Sequence, residues 1–126
     1  MTAFPFLHRE TVRFRDLDSL GHVNNAVYST YLEQARIAFL RPHGAEVTSM
    51  ILARVEIDFR AQVELGETVE ITLWPSRVGT KSFELAYEMR VGERLVAEAK
   101  TVLVAFDYER GESKPLPDVW RKLLAG

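Results

Sequence analysis

Cysteine is absent from the 126 residues. That excludes disulfide frameworks, cysteine-ligated zinc, iron–sulfur clusters and thiol nucleophiles together. Neither sign of charge is in excess. Sixteen Lys and Arg stand against eighteen Asp and Glu, a net charge of −2, whereas a dedicated nucleic-acid binder usually carries a strongly basic face. Long apolar runs are missing too. The longest, Val102 to Phe106, falls far short of the roughly 20 residues that span a bilayer. Residues 1–10 lack the basic start and apolar stretch of a secretory signal, and there are no repeats, low-complexity tracts or linkers. What is present is 47% apolar and 10% aromatic residues, the composition of a packed globule. The expectation is a cytoplasmic, soluble single domain over residues 1–126, with neither nucleic acid nor membrane as partner.

Strand periodicity dominates the second half. Over residues 51–63, Ile51, Ala53, Val55, Ile57, Phe59, Ala61 and Val63 alternate with mainly polar residues, as in a half-buried antiparallel strand. Val69, Ile71 and Leu73 repeat the pattern, as do Phe83, Leu85, Tyr87, Met89 and Val91. The run over residues 95–106 becomes apolar on both faces near its end, as a central or doubly covered strand does. Gly66, Gly79 and Gly92 fall between these runs, where a hairpin needs positive φ. The four strands therefore read as a meander, each pairing with the next, and a further strand over residues 10–15 precedes them.

Between that first strand and the meander lies one long helix. Asn24 caps it, and Val27, Tyr28, Tyr31, Leu32, Ala35, Ala38 and Phe39 form a broad apolar stripe at steps of three and four. Pro42 and Gly44 end it, and a short helix over residues 117–124 closes the chain. The fold class is α+β: a five-stranded antiparallel sheet wrapped around one long central helix. Such a sheet keeps open edges, so pairing between copies of the chain is expected.

Chemistry concentrates in Asp16-Leu17-Asp18-Ser19-Leu20-Gly21-His22-Val23-Asn24-Asn25, directly before the long helix. Free N–H groups and a positive dipole there favour a developing oxyanion. Asp-x-Asp-x-x-Gly matches the start of a calcium loop, but Leu20 and Val27 occupy its fifth and twelfth positions. No transition-metal spacing is met by Asp16, Asp18, His22 and Glu33. Gly-x-Ser-x-Gly and phosphate-cradling glycine motifs are absent. A purely structural turn, with Asp18 and Asn24 bonding local backbone, stays open on residue types alone.

The stretch Arg13-Phe14-Arg15-Asp16-Leu17-Asp18-Ser19-Leu20-Gly21-His22-Val23-Asn24-Asn25-Ala26-Val27-Tyr28, with Tyr31-Leu32-Glu33-Gln34-Ala35-Arg36, resembles the hotdog-fold acyl-CoA thioesterases, in the 4-hydroxybenzoyl-CoA thioesterase-like group. Arg54-Val55-Glu56-Ile57-Asp58-Phe59, Gly79-Thr80-Lys81-Ser82-Phe83, residues 100–107 and Pro115-Leu116-Pro117 extend the likeness over nearly the whole chain. Members acting on 4-hydroxybenzoyl-CoA carry Pro-Ala-Gly-Ile-Val after the acid. Here Ser19-Leu20-Gly21-His22-Val23 stands instead, which implies an aliphatic in preference to an aromatic acyl group, while Gly21-His22-Val23-Asn24-Asn25 resembles the general acyl-CoA branch.

The resemblance implies hydrolysis of an acyl-CoA to free acid and CoA, with no metal and no cofactor beyond the CoA of the substrate. Asp18 would be general base or nucleophile, and the backbone N–H of Asn25 the oxyanion donor. His22 is a second candidate for proton transfer. Gly21, Asn24 and Tyr28 are candidate substrate contacts, although helix-core packing explains Tyr28 nearly as well. Asp16 reads as a structural acceptor in preference to a partner that raises the pKa of Asp18. Thr80, Lys81 and Ser82 are candidates for the CoA tail across a homodimer or dimer-of-dimers (homotetramer) interface, the competing reading being an exposed hairpin with a solvated Lys. Glu33 and Arg36 form an i,i+3 pair that needs no function. The alternative from a different class is a non-catalytic module of the same fold that binds acyl-CoA or an acylated carrier. A hydratase of this fold would present Asp-x-Asn-Pro-x-His, which is absent.

Overall fold

The computed structural model describes residues 4–43 and 49–126. The elements run β1 (Phe6–Thr11), α1 (Asn25–Leu40), β2 (Met50–Phe59), β3 (Thr68–Val78), β4 (Ser82–Val91), β5 (Arg94–Asp107), β6 (Glu112–Ser113) and α2 (Asp118–Leu124). All pairings between the strands are antiparallel, and the sheet order is β1-β3-β4-β5-β2, with the two-residue β6 beside β5. The sheet curls around α1, whose Tyr31, Leu32, Ala35 and Phe39 are buried against inward-facing Ile71, Leu73, Leu85, Tyr87 and Met89. The Asn24 side chain accepts the Ala26 N–H at 2.9 Å and caps the helix. A 3-10 turn over Arg41–His43 follows α1; Gly44 lies outside the described residues. No helix among the described residues is long and apolar enough to cross a membrane.

Several expectations change in detail. The first strand is Phe6–Thr11, not residues 10–15. Its partner β3 begins at Thr68, opposite Thr11, so the ladder stops there, and Phe14–Asp16 form a 3-10 turn. Val12 is buried, but Phe14 is 80% exposed. The strands do not form one four-stranded meander either. β3, β4 and β5 do, whereas β2 skips β3 and pairs with β5 at the far edge. The short sixth strand adds to the expected five.

The strand read over residues 51–63 ends at Phe59, and a bulge between Leu52 and Arg54 reverses its phase. Met50 and Leu52 therefore share the inner face with Val55, Ile57 and Phe59, because one extra residue moves every later side chain to the other face. That face is only partly covered: Leu52, Val55 and Phe59 remain 39%, 41% and 45% exposed. Gly66 and Gly92 have positive φ, as their turns require. Gly79 does not; a Cβ there would come within 3.1 Å of the Ser82 carbonyl oxygen, so close packing is its constraint. Arg36, expected on the polar side of α1, is buried.

Truncating the core and the exposed turn should separate these assignments. Leu32→Ala should lose about 2–5 kcal/mol in urea denaturation. Phe14→Ala should change stability by no more than about 0.5 kcal/mol.

Candidate active site

The turn between β1 and α1 is built on Asp16. Its buried carboxylate accepts the Arg13 backbone N–H at 2.9 Å, the Arg13 guanidinium at 3.2 Å and the Tyr31 hydroxyl at 2.7 Å. Burial pushes the Asp16 carboxyl upward, but those donors outweigh it and hold the group below the ordinary aspartate value. The Tyr31 hydroxyl is pushed well above the usual tyrosine range by burial and by the adjacent carboxylate. The Asp16 carbonyl also accepts the Asn24 N–H at 2.9 Å. One residue thus ties the end of the turn to the helix cap and, through Tyr31, to the second turn of α1.

Residues 17–23 fold back as a small hairpin. Leu17 bridges Val23, His22 bridges Glu64, and the Val23 N–H meets the Val63 carbonyl at 2.9 Å. Gly21, at φ 82°, supplies the left-handed position. The Asp18 N–H donates to the His22 carbonyl at 2.8 Å, while Asp18 Oδ1 accepts from the backbone N–H of Leu20 at 2.8 Å and of His22 at 3.2 Å. These bonds fix one carboxylate oxygen. Asp18 itself is exposed.

Asp18, His22, Asn25 and Tyr28 line one cleft of about 290 Å³. Asn25 opens the helix, and its N–H has no protein acceptor among the described residues. Tyr28 forms part of the wall, its ring 5.0 Å from Phe59 and its hydroxyl donating to the Ala61 carbonyl at 3.3 Å; burial raises its pKa. A residue with an exposed carboxylate and one with a free helix-terminal N–H thus line one cavity. Gly21 and Asn24 serve as turn and cap beside the cleft and do not line it.

Thr80, Lys81 and Ser82 lie elsewhere. Ser82 pairs with Val104, whereas Phe59 pairs with Ala97. Seven residues along β5 separate those positions, roughly 23 Å. The Thr80 carbonyl there accepts from the Leu116 N–H at 2.9 Å and from Arg121 at 3.0 Å. Within one chain this hairpin does not reach the cleft.

Phe59, Arg60, Ala61 and Gln62 complete the cleft wall, and sequence reading missed them. The alternation there continues that of a strand. In the structure the N–H groups of both Arg60 and Ala61 turn to the single Val96 carbonyl, at 2.8 and 3.2 Å, and the chain leaves the ladder. No local residue type signals that departure.

A curled antiparallel sheet wrapped around one long helix is the hotdog arrangement. A family model for the thioesterase-like superfamily matches residues 12–124. The 1,4-dihydroxy-2-naphthoyl-CoA hydrolase of Nostoc punctiforme is 30% identical over 121 residues, covering 90% of this chain and 82% of that protein. A crystal structure of a thioesterase complexed with coenzyme A and Zn from Thermus thermophilus superposes with a TM-score of 0.88 at 33% identity, over 98% of this chain and 94% of that one. A 1,4-dihydroxy-2-naphthoyl-CoA thioesterase from Synechocystis, 22% identical over 95% of both chains, shares the fold at a TM-score of 0.88. This chain belongs to the thioesterase-like superfamily. It is a thioester hydrolase of hotdog fold.

The Asp16 anchor has a measurable pH signature. A carboxyl held low in the folded state stabilises the fold above its unfolded pKa, and that contribution is lost as pH falls through the folded value. Tyr31→Phe removes one donor and should lower stability at neutral pH by about 1–3 kcal/mol. The deficit should narrow in urea titrations as pH falls below the ordinary aspartate value, where the wild type loses the same contribution.

Proposed function

We propose that the protein hydrolyses acyl-CoA thioesters to a carboxylic acid and CoA, using water and its own groups alone. The observation carrying this reading is that Asp18 and Asn25, whose N–H has no protein acceptor among the described residues, line the same cleft. With the thioester carbonyl oxygen on the Asn25 N–H, two routes are open to Asp18. As general base it takes a proton from water, the water oxygen bonds to the carbonyl carbon, and the tetrahedral oxyanion collapses to expel CoA thiolate. As nucleophile its oxygen bonds to the carbonyl carbon, the tetrahedral oxyanion collapses to expel CoA thiolate, and water then cleaves the resulting mixed anhydride to the acid and the free Asp18 carboxylate. Single-turnover hydrolysis in oxygen-18 water separates them: the label enters the product acid directly in the first route and the Asp18 carboxylate in the second. His22, on the cleft wall, is the second group available for proton transfer.

The working form is proposed to be a homodimer, joined through the unpaired edge of β2. An edge strand with exposed inner apolar side chains favours pairing. Antiparallel pairing of two such edges also brings the far end of one sheet beside the cleft of the other. That would let the partner's Thr80–Ser82 hairpin meet the CoA tail, with Lys81 facing a phosphate.

Asp18→Asn is a clean test, since an amide oxygen still accepts from Leu20 and His22 and preserves the turn. Thiol release from acyl-CoA should fall about 10²–10⁴-fold with the fold unchanged. Equal rates would remove Asp18 from the chemistry, and no release from any thioester by the wild type would favour a binding module. Val55→Arg on the β2 edge should shift the protein toward monomer in sedimentation equilibrium and reduce thiol release with it.

A further inference from the structure

The hairpin carrying Asp18 is held at its base by Asp16, but its returning strand rests on a different support. His22 bridges Glu64, and the Val23 N–H meets the Val63 carbonyl. Arg60, Ala61 and Gln62, directly before that stretch, form part of the cleft wall. One segment, residues 60–64, therefore supplies both a wall of the cleft and the seat of the hairpin.

Glu67 and Arg94 hold that segment. The Glu67 carboxylate accepts the Glu64 N–H at 2.8 Å and the Arg94 guanidinium at 2.9 Å on each oxygen. The same Arg94 nitrogen donates to the Gln62 carbonyl at 3.3 Å. Arg94 opens β5 and pairs with Val91, so the segment is tied to the sheet. In the main chain, the Glu67 N–H donates to the Glu64 carbonyl at 3.2 Å, and the Glu67 carbonyl accepts the Val12 N–H at 3.0 Å. The Glu64 N–H and the guanidinium hold the Glu67 carboxyl below its ordinary range against partial burial. Burial raises the Tyr28 hydroxyl while the Arg94 charge opposes the rise, so Arg94 stands within electrostatic reach of the cleft wall.

The side chains of Glu67 and Arg94 are 26% and 47% exposed, and ion pairs so open to water add little to global stability. Yet the backbone groups that they bond, at Gln62 and Glu64, both lie in the segment that seats the hairpin. Neither residue lines the cleft, so any effect on the reaction runs through that backbone and not through contact with the thioester. Resting on the acyl-CoA hydrolase reading, we infer that Glu67 and Arg94 are positioning residues for hydrolysis, bracing residues 62–64 and thereby fixing Asp18 relative to the Asn25 N–H.

Arg94→Met keeps the aliphatic stem and removes the donors, whereas Arg94→Lys keeps a charge within reach of Glu67. Residue-resolved amide exchange should show His22 and Val23 exchanging about tenfold faster in Arg94→Met, with the core amides of Leu32 and Leu85 within about twofold of the wild type. In thiol release from acyl-CoA, kcat should fall about tenfold with KM within about twofold, and Arg94→Lys should recover most of the loss. Glu67→Gln, which retains an acceptor for the Glu64 N–H, should move both readouts in the same direction by less. In an Asp18→Asn background Arg94→Met should cost nothing further, because its effect runs through Asp18. Unchanged exchange at His22 and Val23, a loss carried by KM alone, or an equal fold-loss with and without Asp18 would each overturn the inference. Faster exchange in a protein whose wild type releases thiol from no thioester would keep the brace and overturn the hydrolase reading. Unchanged exchange in an active hydrolase would do the reverse.

Discussion

A buried carboxylate bonded by three donor groups holds the candidate site together. Asp16 sits 3% exposed where the chain leaves β1 and turns toward α1. Unpaired, an ionised group so placed would cost several kcal/mol. The Arg13 main chain, its guanidinium and the Tyr31 hydroxyl satisfy the carboxylate, and the Asp16 carbonyl receives the helix-cap residue Asn24. The small hairpin carrying Asp18 is therefore suspended between two points fixed by the same residue. Any reaction requiring a carboxylate at a set distance from a helix N–H depends on such a fixture, because a misplacement of about 1 Å can cost about 10²-fold in rate.

The rest of the fold serves that geometry by leaving one side open. β1 and β3 lie against α1, and rings of Phe4 and Phe6 pack on Phe39 near the C-terminal end of the helix at 4.6 and 5.1 Å. On the opposite side the bulge after Leu52 turns apolar side chains inward under a helix that does not cover them. Closed over, this would be ordinary core. Left open, it keeps Leu52, Val55 and Phe59 partly exposed, and Phe59 lines the candidate cleft. In the proposed scheme the cleft lies at one end of this uncovered face, and the β2 edge beside it is where two copies pair.

Much of this was legible in the residues, and the exceptions have physical causes. The helix and its Asn24 cap follow from period and side-chain chemistry, both local properties. So do the β3-β4-β5 hairpins, whose turns are short. The position of β2 did not follow, because nothing within residues 51–63 states which strand lies alongside, and pairing is decided by the path of residues 60–67. The phase of β2 was misread for a related reason: a bulge adds one residue without a marker in the sequence. Asp16 was identifiable as a structural acceptor from its place in the turn, but its partner Tyr31 lies fifteen residues on and emerges only when α1 packs. Arg36 was hidden in the same way. Its spacing from Glu33 fits a solvated surface pair, and burial alone reveals the difference.

The central claim is that a thioester lies between Asp18 and the Asn25 N–H. A crystal structure of the protein with a ketone analogue of octanoyl-CoA, in which a methylene separates sulfur from carbonyl, tests it most directly. The account predicts the ketone oxygen about 2.7–3.1 Å from the Asn25 nitrogen, with the Asp18 carboxylate facing the carbonyl carbon either directly or through one ordered water. A ketone bound away from the start of α1, or an Asp18 carboxylate facing only its own turn in that complex, would contradict it.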